Sequence, residues 1–166
     1  NSTSVDAALE LWTFHRAASD SQHGHISSWN TADVTSCHFM FHNYGDSWDI
    51  GCWDTAAVTT MRGMFSGAVQ YNHDVGKWNT AAVTTMRSMF VSASAFNQSI
   101  GSWNTAAVVD LAGMFYKATV FNYDIGNWNT GNALTMEAMF YKATMFNYDI
   151  GAWNVSAVQN TVGMFS

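Results

Sequence analysis

The chain has 166 residues, 48% of them apolar, which is enough for one globular domain with a sizeable core and excludes a disordered chain. Its net charge is −6, and its six Lys and Arg residues do not cluster, so we do not expect it to bind nucleic acid, which requires a basic surface. No apolar run approaches the roughly 20 residues that a membrane-spanning helix needs.

Residues 1–22 stand outside the repeated part of the chain and are predicted to form a capping helix. Ser4 is a suitable N-cap for a helix over 5–18, whose apolar residues fall mostly on one side at the helical spacing. Stacks of repeats need atypical ends, because an open end exposes core residues. We therefore expect this helix to cover the N-terminal end of the stack. The alternative is that it docks on a partner.

The remainder, 23–166, is one sequence phrase used about six times. Tryptophan opens each copy at a step of 25 residues, after a first copy of 24. We name the copies repeat 1 (29–52), repeat 2 (53–77), repeat 3 (78–102), repeat 4 (103–127), repeat 5 (128–152) and the incomplete repeat 6 (153–166). A period between about 20 and 50 residues is typical of stacked repeats, so we predict a single solenoid domain.

Each repeat keeps the same apolar positions, which in repeat 2 are Trp53, Val58, Met61, Met64, Phe65, Ala68, Tyr71 and Val75. Equal side chains at one position of successive coils would stack into ladders and fill a continuous core. We predict a short strand at 122–126 and its counterparts, a second extended piece at 58–61, and a helical turn at 62–68. Cys37 stands where most later repeats have Met and is expected inside.

The repeated phrase WNTAAVTTMRGMFxxAxxFNxDIGxW resembles the repeat of similar length in the BspA-like leucine-rich-repeat surface proteins. The resemblance covers 26–166. It implies a leucine-rich-repeat-like solenoid, with a stacked strand on one face and short helical or extended turns elsewhere. It also implies a binding or structural role and no catalysis. The Trp that follows the strand in every coil, and the N-terminal segment, depart from the family's pattern.

An acidic column recurs just before the inward Val or Ile of the repeats and consists of Asp49, Asp74, Asp124 and Asp149. Stacked strands lie about 4.8 Å apart, so these carboxylates would repel one another unless a cation, a donor or water separates them. One interpretation is a site for a hard cation such as Ca²⁺, which prefers carboxylate oxygens. The alternative is that each carboxylate accepts a local backbone hydrogen bond or is solvated.

His38 and His42 are four residues apart and could share one face of a helix, which makes them candidates for binding a metal or a pigment. The alternative is that both are ordinary surface or partly buried histidines. Apart from Ca²⁺ or a pigment, no cofactor is expected. The sequence contains no local signature of a catalytic nucleophile and no glycine-rich phosphate loop, so we expect no enzymatic activity.

Outward positions that change from repeat to repeat are candidates for contact with a partner. Tyrosine accumulates toward the later repeats, and the candidate partner-binding residues are Tyr116, Tyr123, Tyr141, Tyr148, Lys117 and Lys142. Tyrosine is common at interfaces, because it combines a large contact area with a polar group. The alternative is that these tyrosines pack along the ladder.

The sequence therefore predicts a non-catalytic repeat scaffold for protein–protein interaction, of the surface recognition or adhesion type. One alternative is an accessory subunit of a large assembly, such as an algal photosystem or light-harvesting membrane complex, with a partner covering repeat 6. Another is a cation-binding repeat that uses the acidic column. These interpretations place the protein at the cell surface or in an organelle lumen such as the thylakoid lumen, where Asn97 and Asn154 would be candidate glycosylation sites.

Overall fold

The computed structural model describes residues 24–45 and 48–166, so the helix predicted over 5–18 lies outside the described residues. Neighbouring repeats run in parallel and are joined by isolated β-bridges, which pair Ser36 with Thr60, Thr60 with Thr85, Thr85 with Asp110, Asp110 with Thr135, and Thr135 with Asn160. Within the described ranges, the one helix is a 3-10 turn at Ile26–Ser28, and no regular strand is formed. No helix there is long and apolar enough to cross a membrane.

A ladder of backbone hydrogen bonds ties each repeat to the next along 61–67 and its counterparts. In repeat 2 the N–H groups of Met61, Gly63, Phe65 and Gly67 donate to the carbonyl oxygens of Thr85, Arg87, Met89 and Val91, at 3.0, 2.9, 2.9 and 2.7 Å. Intervening N–H groups close tight turns inside the repeat, as that of Met64 does by donating to the Met61 carbonyl. The segment thus satisfies its backbone donors without forming a regular strand.

The helical turn predicted at 62–68 is wrong. Gly63 and Gly67 have φ angles of +62° and +75°, and the counterparts in other repeats, such as Ser88, also have positive φ. A left-handed residue interrupts a right-handed helix, so two of them within one segment leave a series of tight turns instead. The extended piece predicted at 58–61 does contain the residue that forms the bridges of repeat 2.

The strand predicted at 122–126 is also wrong, because this segment forms no β-bridge to its neighbours. Side-chain amides take over the connection between repeats. Asn97 accepts the backbone N–H of Asn122 through its Oδ1 at 2.9 Å, and Asn122 accepts that of Asn147 in the same way at 3.0 Å. A backbone donor that is satisfied by a side chain does not need a ladder partner.

The core consists of stacked columns of equal side chains, and every apolar position predicted for repeat 2 is buried. The rings of Phe65 and Phe90 lie 5.5 Å apart with an interplanar angle of 6°, and the Trp78 and Trp103 rings lie 6.3 Å apart at 6°. The indole N–H of Trp103 donates to a backbone carbonyl at 3.0 Å, which satisfies its buried polar atom. Cys37 is buried as predicted, and burial raises the pKa of its thiol to about 12.

Candidate binding surface

Four of the six predicted partner-binding residues lie together on repeats 4 and 5. The rings of Tyr116 and Tyr141 stack with their centroids 4.7 Å apart and their planes at 9°. Lys117 and Lys142 each place Nζ 5.3 Å from the ring centroid of the preceding tyrosine. A cation at this distance is attracted by the negative face of the ring. We call these four residues the Tyr–Lys patch.

The turn segment holds the Tyr–Lys patch at the surface. Each tyrosine directly follows a buried phenylalanine of the core column, Phe115 in repeat 4, and is itself half-buried. The backbone N–H of Lys117 donates to the Tyr141 carbonyl at 2.7 Å, which fixes the two repeats against each other. Lys117 and Lys142 both lie in the left-handed region, with φ of +57° and +54°. The patch is therefore attached to a rigid part of the ladder.

Tyr123 and Tyr148 lie at another position of the repeat and are 36% and 44% exposed. Among the described residues, no ring contact joins either of them to the Tyr–Lys patch. The structure therefore places them at the surface, as a partner-binding role requires, but it does not bring all six predicted residues into one cluster.

Two further columns on repeats 4 and 5 expose apolar side chains that the sequence analysis missed. Val109 and Leu134 are 39% and 43% exposed, where repeats 2 and 3 have threonine. Val120 and Met145 are 39% and 57% exposed, where repeats 2 and 3 have Gln70 and an alanine. A comparison of the copies column by column, restricted to positions between the core residues, would have found them.

The acidic column makes local hydrogen bonds. The Oδ1 atoms of Asp49, Asp74, Asp124 and Asp149 accept the backbone N–H of the glycine two residues later, at 3.1, 2.8, 2.9 and 2.8 Å. Asp49 and Asp74 line a cleft of about 270 Å³ together with Lys77, whose ammonium supplies a positive charge there. No group of three or more His, Cys, Asp or Glu side chains in the described part is placed to hold a metal ion. Binding of Ca²⁺ by this column stays a prediction.

His38 and His42 do not share a helical face, because Phe39 between them has a φ of +53°. Their imidazole rings lie on the Phe39 ring, at 4.6 and 5.1 Å between centroids, and all three side chains are exposed. His42 Nε2 is 2.9 Å from the side-chain amide of Asn43. The arrangement is an exposed aromatic cluster, and a metal or pigment at these histidines stays a prediction.

Repeat 6 exposes apolar side chains that the earlier repeats bury. Phe165 is 64% exposed, whereas Phe140, on which it stacks at 5.5 Å, is 3% exposed. An opening of about 370 Å³ lies between these rings, Phe146 and Lys142. A partner that covers repeat 6 stays a prediction.

The family model described as "Mycoplasma protein of unknown function, DUF285" matches the chain twice, over 11–106 and over 73–166. The chain belongs to this family. Two overlapping matches within one DUF285 chain agree with the repeats at 29–166, so the protein is a repeat protein. Neither a curated protein nor a solved structure shows detectable similarity to it. Because the family's function is unknown, the function must be argued from the surface itself.

Proposed function

We propose that this DUF285 protein is a non-catalytic, leucine-rich-repeat-like solenoid of the BspA-like type, which binds another protein through the outer surface of repeats 4 and 5. One observation carries the proposal. Several outward columns change from mostly polar in repeats 2 and 3 to aromatic or apolar in repeats 4 and 5, whereas the core columns hardly change.

The change in the outward columns is not needed for folding. Phe90 and Phe115, the core phenylalanines of repeats 3 and 4, are both completely buried, although their repeats differ at the surface. Exposed apolar side chains that form a patch mark interaction sites on soluble proteins. Tyrosine and methionine are enriched in the centres of such sites. The surface of repeats 4 and 5 has the composition expected of an interface.

The geometry of the tyrosines also favours binding. Tyr116 and Tyr141 are already stacked on each other, so a partner would have to order little of this surface. Binding to a preorganised surface loses less conformational entropy than binding to mobile side chains. The alternative, an accessory subunit of a large membrane assembly, would instead be covered by its partner at repeat 6, where Phe165 is 64% exposed. The two interpretations therefore differ in the site as well as in the partner.

The scaffold part of the proposal is supported by the parallel bridges at a 25-residue step, such as that between Thr60 and Thr85. A non-catalytic role is supported by the regular positions and the hydrogen bonds of the aspartate carboxylates. They recur column by column and bond to local backbone, as that of Asp74 does to the Gly76 N–H at 2.8 Å. A catalytic group, in contrast, usually occurs once in a chain and lies in a pocket with other catalytic groups.

The test exchanges outward residues between repeats of the same chain. The variant carries four substitutions, each giving the residue that repeat 2 or 3 has at that position: Val109→Thr, Tyr116→Ser, Leu134→Thr and Tyr141→Val. It keeps the core and the backbone ladder. A control variant exchanges outward residues of repeat 2 for those of repeat 3, Gln70→Ala and His73→Gln.

Proteins captured from the producing cells by the wild type and by the control should be lost with the four-substitution variant. A captured protein should then bind the wild type directly, with both partners purified, in titration calorimetry. Equal capture and equal direct binding by all three forms would show that repeats 4 and 5 are not the interface.

A further inference from the structure

We infer that the segment bound at the Tyr–Lys patch is an acidic peptide segment of the partner, with two neighbouring carboxylates that pair with Lys117 and Lys142. The inference rests on the proposed function and specifies the chemistry of the partner.

The first argument is charge. The chain has a net charge of −6 and three lysines, yet two of them lie side by side on adjacent repeats. Both are exposed, and neither forms an ion pair within the described ranges, where Arg87 does pair with Asp110 at 3.6 Å. Like charges that are close together repel one another. A carboxylate supplied by a partner would relieve that repulsion. The two positive charges also distinguish the patch from the acidic remainder of the surface.

The second argument is the position of the lysines in the ladder. Gly67, at the same position of repeat 2, has the same left-handed backbone, so the turn does not need a side chain there. A side chain in this region costs about 1–2 kcal/mol in a left-handed helix, a cost that glycine avoids. Repeats 4 and 5 nevertheless carry long cationic side chains at this position. Asn43 and Ser92 occupy the same left-handed position in repeats 1 and 3, so the turn does not specify lysine there.

The third argument is geometry. Each ammonium group lies 5.3 Å from the centroid of its own tyrosine ring, and the two ring centroids are 4.7 Å apart, so the two lysines are carried on adjacent, stacked rings. Carboxylates at alternate positions of an extended peptide share one face and are about 6–7 Å apart, a spacing that two long lysine side chains can match. Each ring of the pair already contacts the other ring and an ammonium, which leaves little free ring face for the stacking that a sugar would require. The patch therefore fits acidic side chains better than an acidic polysaccharide.

The test uses the full chain and two peptides of eight residues, one alternating Glu and Gly and the other alternating Gln and Gly. Heteronuclear NMR spectra at low salt report which residues each peptide contacts. The Glu peptide should shift the signals of the Tyr–Lys patch saturably and the Gln peptide should not. Affinity for the Glu peptide should fall as salt is added, because exposed charge pairs are screened.

The variant Lys117→Gln/Lys142→Gln should bind the Glu peptide about tenfold more weakly, as expected for the loss of two exposed ion pairs. Lys77→Gln, which removes the third lysine from the cleft beside Asp74, should bind it as the wild type does. Equal shifts with both peptides would overturn the inference. So would stronger binding of an oligogalacturonate than of the Glu peptide, since a polysaccharide would then be the better ligand.

The capture experiment separates the two proposals. The lysine double variant could retain the captured proteins at every salt concentration, while replacement of Tyr116 and Tyr141 loses them. That result would overturn the inference of an acidic segment but would leave the proposed protein-binding function in place. Unchanged capture with both variants would overturn the proposed function itself.

Discussion

At the scale of single residues, Tyr71 differs from its column. Its hydroxyl is buried without a hydrogen-bond partner, at the position where repeat 3 has Phe96. Burial, together with the charges of Asp49 and Asp74, raises its pKa. A buried hydroxyl that makes no hydrogen bond loses its solvation without compensation, at a cost of about 1–3 kcal/mol.

We therefore expect Tyr71→Phe to raise the free energy of unfolding by about 1 kcal/mol, measured by urea denaturation. Tyr116→Phe, at a partly exposed position, is the control and should change it little. Lower stability of Tyr71→Phe would mean that the hydroxyl does find a partner.

Cys37 couples stability to alkaline pH. Its thiol has a pKa of about 12 in the folded chain, raised by burial from an ordinary value of 9.0. Above pH 9 the unfolded chain loses this proton and the folded chain keeps it, so stability is complete below that pH and falls as pH rises toward 12. Cys37→Ala should reduce the loss of stability between these pH values, measured as unfolding midpoints in urea.

A matched substitution at the exposed Cys52 provides the control for this pH dependence. Cys52→Ala should leave the alkaline slope as it is in the wild type. The same slope in all three forms would show that the Cys37 thiol is not responsible.

At the scale of the repeat, the glycine two residues before the tryptophan of repeats 2 to 5 lies close to the backbone of the neighbouring coil. A Cβ added at Gly101 would collide with the backbone carbonyl oxygen of Asp124 in repeat 4. At Gly151 the nearest atom is the flexible carboxylate of Asp149, at 3.1 Å, because no further repeat lies there in the structure.

Gly101→Ala should therefore destabilise the protein by about 1–3 kcal/mol, as overpacking does, and Gly151→Ala by much less. Urea denaturation of the two variants provides the comparison. Equal losses of stability in the two variants would mean that glycine is needed for the conformation of its own repeat and not for the close approach of the next repeat.

The tryptophan column should dominate the stability of the repeats. Trp103 is 3% exposed, stacks between two other tryptophans and donates its indole N–H to Val75. Trp103→Ala should lower the free energy of unfolding by about 3–5 kcal/mol, as other large-to-small core substitutions do. Val109→Ala, on the exposed side of the same repeat, is the control. A loss below about 1 kcal/mol for Trp103→Ala would contradict its role in the core.

The sequence predicts the repeat and its core well, because Trp, Met and Phe recur at fixed spacing and only a stack of equal coils buries them all. It does not predict the backbone of the turn segment. Ser88 and Ala138 have the same left-handed conformation as Gly63, and nothing in their side chains indicates it. The strand at 122–126 was mispredicted for a related reason, since asparagine side chains replace the backbone pairing that alternation suggests.

The binding surface is only partly predictable. Tyr116 and Tyr141 stand out in the sequence, because they accumulate in two adjacent repeats. Val109 and Met145 do not, since a single apolar residue in a variable column is ordinary in any surface. These apolar residues and the tyrosines occur in the same two repeats, 4 and 5. This coincidence indicates a binding surface only once the structure shows which columns are exposed.

At the scale of the whole molecule, cation binding by the acidic column can be tested directly through its effect on stability. A bound ion would stabilise the native state and raise the melting temperature. We expect neither EDTA nor added Ca²⁺ to change it, because the carboxylates already accept backbone N–H groups and Lys77 lies in the cleft of Asp49 and Asp74. A rise of several degrees with Ca²⁺, reversed by EDTA, would contradict this expectation and support the cation-binding interpretation.

The direction of the backbone ladder has a consequence for how such a chain evolves. Along this segment, repeats 1 to 5 each donate N–H groups to the repeat that follows, as Met61 does to Thr85. A second contact recurs in the opposite direction, as the Thr84 N–H donates to the Thr59 carbonyl at 2.8 Å. One junction is therefore chemically interchangeable with another, and an in-frame duplication or deletion of 25 codons rejoins the same donors to the same acceptors. The lineage can lengthen or shorten the protein in whole repeats while a recognition surface on two of them is inherited unchanged.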